Sequence, residues 1–462
     1  MNRAALTITG QDTDGASRFR AYGVRQLDTI AKRFGLSGEA LEAVRLVSLV
    51  LPFRVNEYVL TQLIDWARVP DDPVFQLVFP QAGMLAPDDA ARVTDAARQA
   101  DRGALSSVVA AVRARLNPHP GQQLELNVPS DAEGALPGAQ HKYRETLLYF
   151  PGSGQTCHAY CTYCFRWAQF VGDPDLRFTA PGPERVVGYL RRHAEISDVL
   201  VTGGDPMVMS AANLRRHLEP LLGVSSVRTI RIGTKSVAYW PQRFVTDADA
   251  DDTLRLFERV VRSGRTLAVM AHYSHDRELE PDVARQALRR IHDTGAVVYC
   301  QAPLIARVND YAQVWERLWR AEVAAGAVPY YMFVTRDTGP RDYFKVPLAR
   351  AADIFREAYA ALPGLARTVR GPVMSTTPGK VVVDGIEESA DGACFQLRFV
   401  QARDPRLVGR PFQARSRPGA SWLDDLTPVA GTPADLARAL ARPTPPVAVP
   451  PARDETALDE EE

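Results

Sequence analysis

Apolar residues follow two different spacings along this chain of 462 residues. From about residue 17 to residue 115 they recur at helical spacing with Gly and Pro between the runs, which predicts a helical N-terminal region. Further on, short apolar and often β-branched runs alternate with amphipathic helical stretches. Six such repeats predict an α/β fold, with a parallel sheet covered by helices and closed into a barrel or part of one. The predicted strands are 145–150, 198–204, 227–234, 266–273, 296–302 and 328–334.

The distribution of apolar, polar, Gly and Pro residues divides the chain into five parts. A Pro-, Gly- and polar-rich connector over residues 117–144 joins the helical region of residues 1–116 to the barrel of residues 145–365. Residues 366–430 have mixed strand and loop character and are predicted to form a small C-terminal closing unit. Residues 431–462 lack core-forming side chains, which predicts a disordered tail. In such a fold the active site lies at the C-terminal ends of the strands.

Composition narrows the class of protein. With 46% hydrophobic and 24% charged residues the chain can bury a full core. Lys plus Arg equals Asp plus Glu at 55 each, so no net charge attracts nucleic acid or an anionic membrane, and neither is predicted as a partner. The start lacks the pattern of a secretory signal, and no apolar run approaches membrane-spanning length. A cytoplasmic enzyme is therefore expected.

Three of the five cysteines crowd into one short segment. Cys157, Cys161 and Cys164 follow the first predicted strand with the spacing Cys-x3-Cys-x2-Cys. Three thiolates can ligate three irons of a [4Fe–4S] cluster, leaving the fourth iron open to a ligand with amino and carboxylate groups. The alternatives are surface thiols or a structural zinc site, but zinc would need a fourth ligand, and His158 is badly placed to supply it.

This cysteine spacing, with Tyr163 before the last cysteine, resembles the radical S-adenosylmethionine (SAM) superfamily over about residues 145–362. The resemblance implies a partial (β/α)6-type radical SAM barrel whose cluster serves to cleave SAM to a 5′-deoxyadenosyl radical. The second predicted strand ends in Gly203, Gly204 and Asp205, where the superfamily binds the amino group of SAM. The glycines permit close approach of a ligand, and Asp205 can accept from an ammonium group. A plain turn is the alternative for this triplet.

Several phrases resemble the lysine 2,3-aminomutase family over about residues 140–382. The resemblance implies a small-molecule amino acid substrate held as an imine on pyridoxal 5′-phosphate (PLP), whose nitrogen migrates from the α to the β carbon. It also implies an electron donor such as a flavodoxin or ferredoxin, and it leaves a homo-oligomer open. The phrases are 141–145, 199–206, 230–243, 270–275, 306–310 and 329–333.

The family resemblance assigns roles to further residues. His272 and Gln301 fall where the family lines its SAM pocket, although either could be a hydrogen-bonded core residue. Lys142 and Arg144 match basic residues that hold the PLP phosphate, although either could be a surface charge. Lys380 follows a Pro-Gly turn and matches the lysine that binds PLP, with a plain β-turn as the alternative. Schiff-base chemistry requires a neutral amine, so this lysine should be desolvated or lie near other cations.

The predicted substrate contacts depart from those of lysine-specific members. Arg166 matches an arginine that pairs with the substrate carboxylate, a role that suits its planar guanidinium. The first of two aspartates that hold the substrate ammonium falls on Arg336, with Asp337 adjacent, and the second falls on residues 373–375, where no acid occurs. Since an arginine repels an ammonium group, an anionic or polar amino acid such as glutamate or glutamine is favoured over lysine. A shift of one residue would restore Asp337.

Two other functions stay open at this point. A PLP-independent radical SAM enzyme would act directly on a small polar or anionic substrate held by Arg166 and Arg336. An iron–sulfur redox-sensing or binding protein would use the cluster without cleaving SAM. PLP bound to Lys380 would distinguish the aminomutase from both.

Overall fold

The structure, a computed structural model, describes residues 19–99, 101–119, 124–389, 392–429, 432–434 and 436–437. The predicted tail, 431–462, lies outside the described residues except for 432–434 and 436–437. The N-terminal region is helical, as predicted, with a small antiparallel pair of strands at its base. Its elements are β1 (Ala21–Gly23), α1 (Leu27–Phe34), α2 (Gly38–Val47), β2 (Arg54–Asn56), a π-helix (Val59–Leu63), α3 (Pro73–Val78), α4 (Pro87–Arg98) and α5 (Arg102–Leu116).

Side-chain caps fix two of these helices. Asp72 accepts hydrogen bonds from the backbone N–H groups of Val74 and Phe75 at the start of α3, and Asp101 caps α5 in the same way. Every residue of α3 is buried, because this short helix packs inside the molecule. One hydrophobic cluster continues from the N-terminal helices into the barrel, so the two regions share a core.

The barrel is built from six parallel strands, each paired with its neighbour in sequence. The hairpin β3 (Ser130–Asp131) and β4 (Gly134–Ala135) precedes it, and β5 (Ala139–Tyr143) pairs antiparallel with its first strand. The parallel strands are β6 (Thr146–Tyr149), β7 (Asp198–Val201), β8 (Thr229–Thr234), β9 (Thr266–His272), β10 (Val297–Leu304) and β11 (Val328–Val334). The predicted α/β fold with a partial barrel is thereby confirmed.

Helices cover the outer face of the sheet. In the helix before β9 the apolar residues recur at helical spacing, so they lie on one face, where Leu254, Phe257 and Val260 are buried. The helices are α6 (Glu184–Arg192), α7 (Ala211–Leu222), α8 (Ser236–Tyr239), α9 (Ala250–Arg262), α10 (Asp282–Asp293), α11 (Ala312–Ala324), α12 (Arg341–Phe344) and α13 (Leu348–Ala360). No helix in the described part of the chain has the length and apolar character needed to cross a membrane.

A seventh parallel strand opens the segment that was predicted as a closing unit. It pairs with β11, and the chain then reverses into four antiparallel strands with a hydrophobic cluster of their own. These strands are β12 (Arg370–Ser375), β13 (Gly379–Ser389), β14 (Gly392–Ala402), β15 (Pro411–Arg415) and β16 (Thr427–Pro428). Lys142 Nζ on β5 donates to Ser375 Oγ on β12 at 3.3 Å, so side chains connect the two sides of the open barrel.

The parallel strands alternate between an outer and an inner face. On β8, Ile230 and Ile232 are buried, while Arg231 and Gly233 line the interior. The interior of the barrel therefore carries polar and charged side chains, and this is the region in which the site forms.

Candidate active site

A cavity of about 370 Å³ occupies the interior of the barrel. It extends from the cysteine loop after β6 to the turn between β12 and β13. Most site residues predicted from the sequence line this one cavity: Lys142, Cys157, Cys161, Tyr163, Cys164, Arg166, Gly203, Gly204, Asp205, His272, Gln301, Arg336 and Lys380. The structure therefore brings the predicted cluster, SAM and PLP residues together.

Arg144 is not placed in this cavity, contrary to the prediction. Its side chain is exposed in the turn between β5 and β6, and its carbonyl oxygen lies 2.9 Å from His141 Nε2. The β5–β6 ladder shifts register between His141 and Tyr143, which brings Lys142 and Tyr143 to the cavity and leaves Arg144 outside. Arg231 and Arg403, which sequence reasoning did not select, line the cavity instead.

The N-terminal region holds the cysteine loop in place. Arg54 on β2 donates through Nη1 to Thr156 Oγ1 at 3.0 Å and to the carbonyl oxygen of Cys157 at 3.1 Å. The backbone of Tyr160 returns a hydrogen bond to the carbonyl of Arg54 at 2.8 Å. The backbone N–H of Thr162 donates to the carbonyl of Leu77, in α3, at 2.9 Å. The loop is thus attached to two separate segments of the N-terminal region.

The three thiols suit a polynuclear cluster better than a single metal ion. Their sulfur atoms do not all lie within 4.8 Å of one another. Tetrahedral zinc, with Zn–S bonds of about 2.3 Å, would hold its thiolates about 3.8 Å apart. His158, the nearest candidate for a fourth ligand in sequence, has its Nε2 3.1 Å from Asp205 Oδ2 and is engaged there.

The buried surroundings of the three thiols disfavour their deprotonated form when no metal is bound. Burial raises the pKa of Cys157 well above its ordinary value, and it raises the pKa of Cys161 to about 12, against an opposing effect of Lys235. The pKa of Cys164 is also raised by burial. Bound iron would supply the positive charge that thiolate formation needs, because coordination deprotonates a thiol.

The two glycines after β7 allow the backbone to pass against the cysteine loop. A Cβ on Gly204 would lie 2.3 Å from the backbone oxygen of Thr156, and Gly203 has a φ of +148°. A Cβ on Gly203 would also lie 1.9 Å from Gln155 Nε2. Only glycine fits here without displacing the residues that lead into Cys157. The predicted contact with SAM at these glycines stays a prediction.

Asp205 holds together three segments around the cluster loop. Its carboxylate accepts from Thr234 Oγ1 at 2.7 Å, from the backbone N–H of Lys235 at 2.8 Å and from that of Met207 at 2.9 Å. Burial acts to raise its pKa, but the hydrogen bond and charge of His158 and the bonds from Thr234 and Lys235 keep it below the ordinary value. These contacts assign Asp205 to positioning the loop, and its predicted contact with the ammonium group of SAM stays a prediction.

Replacing Asp205 by alanine is expected to lower the free energy of unfolding by about 3 kcal/mol, because it leaves several buried donors without an acceptor. Urea unfolding of the apoprotein measures this loss. Asp353→Ala provides the matched control, since Asp353 is half exposed and pairs with Arg356 on the surface of α13, and it should change stability by less than about 0.5 kcal/mol. Equal losses in both variants would contradict the positioning role.

A neutral histidine and a buried ion pair lie beside the cysteines. Tyr163 Oη lies 3.2 Å from His272 Nε2 and 3.1 Å from Ser274 Oγ. Burial, and next the charge of Lys235, holds the pKa of His272 well below its ordinary range, so this imidazole is neutral. Lys235 Nζ donates to the buried carboxylate of Glu278 at 2.8 Å. Sequence reasoning missed Lys235 and Glu278, although a lysine directly after an apolar strand was a visible signal.

The opposite end of the cavity is rich in cations and hydroxyl groups. Lys380 Nζ donates to Gln401 Oε1 at 2.8 Å and lies 4.8 Å from the ring centre of Tyr331. Burial, and next the charge of Arg231, lowers the pKa of Lys380 to about 7. A substantial share of this amine is therefore neutral near pH 7, as Schiff-base formation requires. The other cations and hydroxyls of this end include Lys142, Arg231, Arg403, Ser375, Thr376 and Thr377.

Two arginines line the cavity wall between these ends. Arg166 is buried with its guanidinium 4.1 Å from the ring centre of Phe150, and burial lowers its pKa to about 10. Among the described residues, its Nε has no hydrogen-bond partner. Arg336 lies 5.1 Å from the ring centre of Phe165. Asp337 does not line the cavity, contrary to its prediction as a substrate contact, because its carboxylate is directed to His119 at 3.6 Å. Arg336 therefore faces the cavity.

Comparison with known proteins identifies the family. No protein-family model matches the chain. A putative L-lysine 2,3-aminomutase of Aquifex aeolicus is 34% identical over 293 residues, which cover 63% of this chain and 74% of that protein. The chain belongs to the lysine 2,3-aminomutase family. Lysine 2,3-aminomutases are radical SAM isomerases, so the predicted family and enzyme class are confirmed.

Other members of the lysine 2,3-aminomutase family match over a smaller share of their length. The L-lysine 2,3-aminomutase of Escherichia coli is 28% identical, covering 53% of this chain and 70% of that protein. For the enzyme of Fusobacterium nucleatum the identity is 24%, and the match covers 48% of this chain and 50% of that protein. The chain thus spans only about half the length of some relatives. A structure of Streptococcus suis SuiB bound to its precursor peptide SuiA matches 55% of this chain and 49% of that one at 11% identity. The TM-score of this match is 0.34, which is too low to support a conclusion about this chain.

Proposed function

We propose that this enzyme is a PLP-dependent amino acid 2,3-aminomutase that cleaves SAM with a [4Fe–4S] cluster. One observation carries the proposal: a single cavity is lined both by three thiols of suitable spacing and by a lysine with a pKa of about 7. A cluster protein without PLP has no need for such an amine. Membership of the lysine 2,3-aminomutase family supports the same reaction.

At the cluster end, Cys157, Cys161 and Cys164 would ligate three irons, and SAM would bind the fourth. When bound, the cluster would supply the electron for cleavage of SAM to a 5′-deoxyadenosyl radical, after reduction by a donor such as a flavodoxin or ferredoxin. Tyr163, neutral His272 and Gln301 line the neighbouring wall, where they can orient SAM through hydrogen bonds without adding charge. Arg54 and Asp205 keep the loop in the geometry that this arrangement needs.

At the opposite end, Lys380 would bind the PLP carbonyl. Lys142 and Arg403, with the hydroxyls of Ser375 and Thr376, fit the phosphate group, because cations and hydroxyls are the partners a phosphate requires. When bound, PLP stabilises the substrate-derived radical while the nitrogen migrates. Arg166, a buried guanidinium without a carboxylate partner among the described residues, fits the α-carboxylate of the amino acid.

PLP binding is expected to depend on pH. Because the pKa of Lys380 is about 7, lowering the pH from 8 to 6 converts most of the neutral amine to the ammonium form, which is not a nucleophile. The initial rate of PLP capture by the apoprotein should fall about tenfold over this interval. The rise of visible absorbance after mixing, followed in buffers of matched ionic strength, measures this rate. An ordinary lysine, with a pKa near 10.4, would instead show about a hundredfold change over the same interval.

The proposed reaction is tested by product analysis. The anaerobically reconstituted enzyme is incubated with dithionite, SAM and single amino acids, with PLP present or removed, and α- and β-amino acids are separated by chromatography. A β-amino acid that forms only when PLP is present supports the proposal. Formation of 5′-deoxyadenosine with no need for PLP would replace it by a PLP-independent radical SAM reaction, and a loaded cluster that never cleaves SAM would favour the redox-sensing alternative.

A further inference from the structure

We infer that the chain carries a second metal site, in which His141, His193 and Glu195 bind one zinc ion. In the described part of the chain, these residues form the one group of three or more His, Cys, Asp or Glu side chains whose donor atoms all lie within 4.8 Å of one another. None of the three lines the barrel cavity. The site is therefore separate from the residues proposed to hold the cluster, SAM and PLP, and it does not depend on the proposed function.

The backbone brings two separate segments together at this zinc site. His141 lies on β5, whereas His193 and Glu195 lie in the connection between α6 and β7. The backbone N–H of Asp198, at the start of β7, donates to the carbonyl of Glu145, in the turn after β5, at 3.1 Å. The two segments are thus held side by side by the fold itself, so the site is formed before a metal ion binds.

The hydrogen bonds of His141 determine which ring nitrogen can bind a metal. Nε2 lies 2.9 Å from the carbonyl oxygen of Arg144, and since a carbonyl can only accept, Nε2 carries the proton. Burial lowers the pKa of His141, which keeps the ring neutral and leaves a lone pair on Nδ1. Metal-binding histidines ordinarily donate their second N–H to a carbonyl or a carboxylate in this way. Zinc would replace the hydrogen bond that Nδ1 makes with Tyr189 Oη at 2.9 Å.

His193 and Glu195 form the carboxylate–histidine pair that is common in metal sites. His193 Nδ1 lies 2.8 Å from Glu195 Oε1. When Nδ1 donates to this carboxylate, the lone pair of the ring lies on Nε2 and is available to a metal. The His193 ring stacks on Tyr189 with 4.0 Å between ring centres, which fixes its orientation, and it meets the His141 ring nearly at a right angle at 5.9 Å.

This donor set suits zinc. Two imidazoles and one carboxylate, with water as the fourth ligand, make a tetrahedral site of a kind that zinc ordinarily takes. Bonds of about 2.0–2.1 Å hold such ligand atoms about 3.4 Å apart, so donor atoms within 4.8 Å of one another need only small side-chain rotations. The side chains of His193 and Glu195 are 15% and 27% exposed, so an ion can reach them from solvent.

The local charges also favour a cation at this position. The carboxylates of Glu195 and Glu145 both act on His141 and raise its affinity for a proton. Arg192, whose charge acts on Tyr189, opposes them. With two neutral imidazoles, the set carries one negative charge from Glu195, and a divalent ion would take the place of the proton that these groups otherwise attract.

Zinc content of the untagged holoenzyme tests the inference. Protein with a loaded cluster, whose cysteines are therefore occupied, is dialysed against zinc, and zinc and iron are measured by mass spectrometry on the same sample. We expect one zinc ion per chain. His193→Gln and Glu195→Gln should each weaken zinc binding at least tenfold, because the loss of a mere outer partner of a ligand already costs about 10- to 100-fold. His119→Gln, which removes a half-exposed histidine elsewhere, is the matched control and should retain zinc.

X-ray absorption at the zinc edge distinguishes this site from the cysteine loop. We expect nitrogen and oxygen neighbours at about 2.0–2.2 Å and no sulfur at about 2.3 Å. Sulfur neighbours would place the zinc on the cysteines and overturn the inference. A wild-type chain that retains no zinc, or equal zinc in the wild type and in both His193→Gln and Glu195→Gln, would overturn it as well. None of these results bears on the aminomutase, whose own tests measure SAM cleavage and PLP.

Discussion

Replacing Cys161 by alanine is expected to abolish SAM cleavage completely. With one thiolate removed, the cluster retains two protein ligands and loses either its assembly or its reduction potential. The loop itself should survive, because its attachments run through Arg54, Thr156 and Thr162 and do not involve the Cys161 side chain. The experiment measures iron content, the visible cluster absorbance and 5′-deoxyadenosine after anaerobic reconstitution.

The matched control for this loss is Cys394→Ala. Cys394 lies on β14 in the closing unit and does not line the cavity, so its replacement should preserve both cluster loading and SAM cleavage. Retention of cleavage in Cys161→Ala would show that these thiols do not hold the reactive cluster. Loss of cleavage in both variants would point to a general folding defect.

Replacing Lys380 by alanine should remove bound PLP and abolish amino migration, while iron loading stays at the wild-type level. The amine of Lys380 can bond to the PLP carbonyl, whereas the amide of Gln401, its hydrogen-bond partner, cannot. Absorbance of the dialysed protein, together with chromatography of α- and β-amino acids, measures the two losses. Added methylamine offers a substitute amine in the vacated space and should restore part of the PLP absorbance.

Lys345→Ala is the control for the lysine variant. Lys345 is partly exposed and pairs with Asp342 on the surface, so this variant should retain PLP and activity. PLP that stays bound to Lys380→Ala with unchanged absorbance would exclude Lys380 as the anchor. In that case Lys142, the other lysine at this end of the cavity, would be the next residue to test.

The barrel and its cysteine loop could be predicted from local patterns. Apolar runs hydrophobic on both faces are typical of parallel strands, and the cysteines are close in sequence, so their use as a set requires no knowledge of the fold. Contacts between distant segments could not be predicted in this way. Arg54 binds a loop more than a hundred positions away, and no periodicity in either segment indicates that contact.

The direction of side chains was the second feature that could not be predicted from the sequence. Counting places Arg336 and Asp337 side by side, but the conformation after β11 turns one into the cavity and the other toward His119. Arg144 was selected for its charge, and a register shift in the β5–β6 ladder leaves it outside. Asp205 was predicted to contact SAM from its own motif, which does not reveal that Thr234 and Lys235, at the end of β8, donate to its carboxylate.

The central claim is that the three thiols hold a cluster that cleaves SAM in the cavity that also binds PLP. Anaerobic reconstitution with iron, sulfide and PLP, reduction with dithionite and addition of SAM tests it most directly, with 5′-deoxyadenosine and PLP absorbance measured on the same sample. Our account predicts 5′-deoxyadenosine from protein that carries both a loaded cluster and PLP on Lys380. A fully loaded cluster that produces no 5′-deoxyadenosine would contradict it.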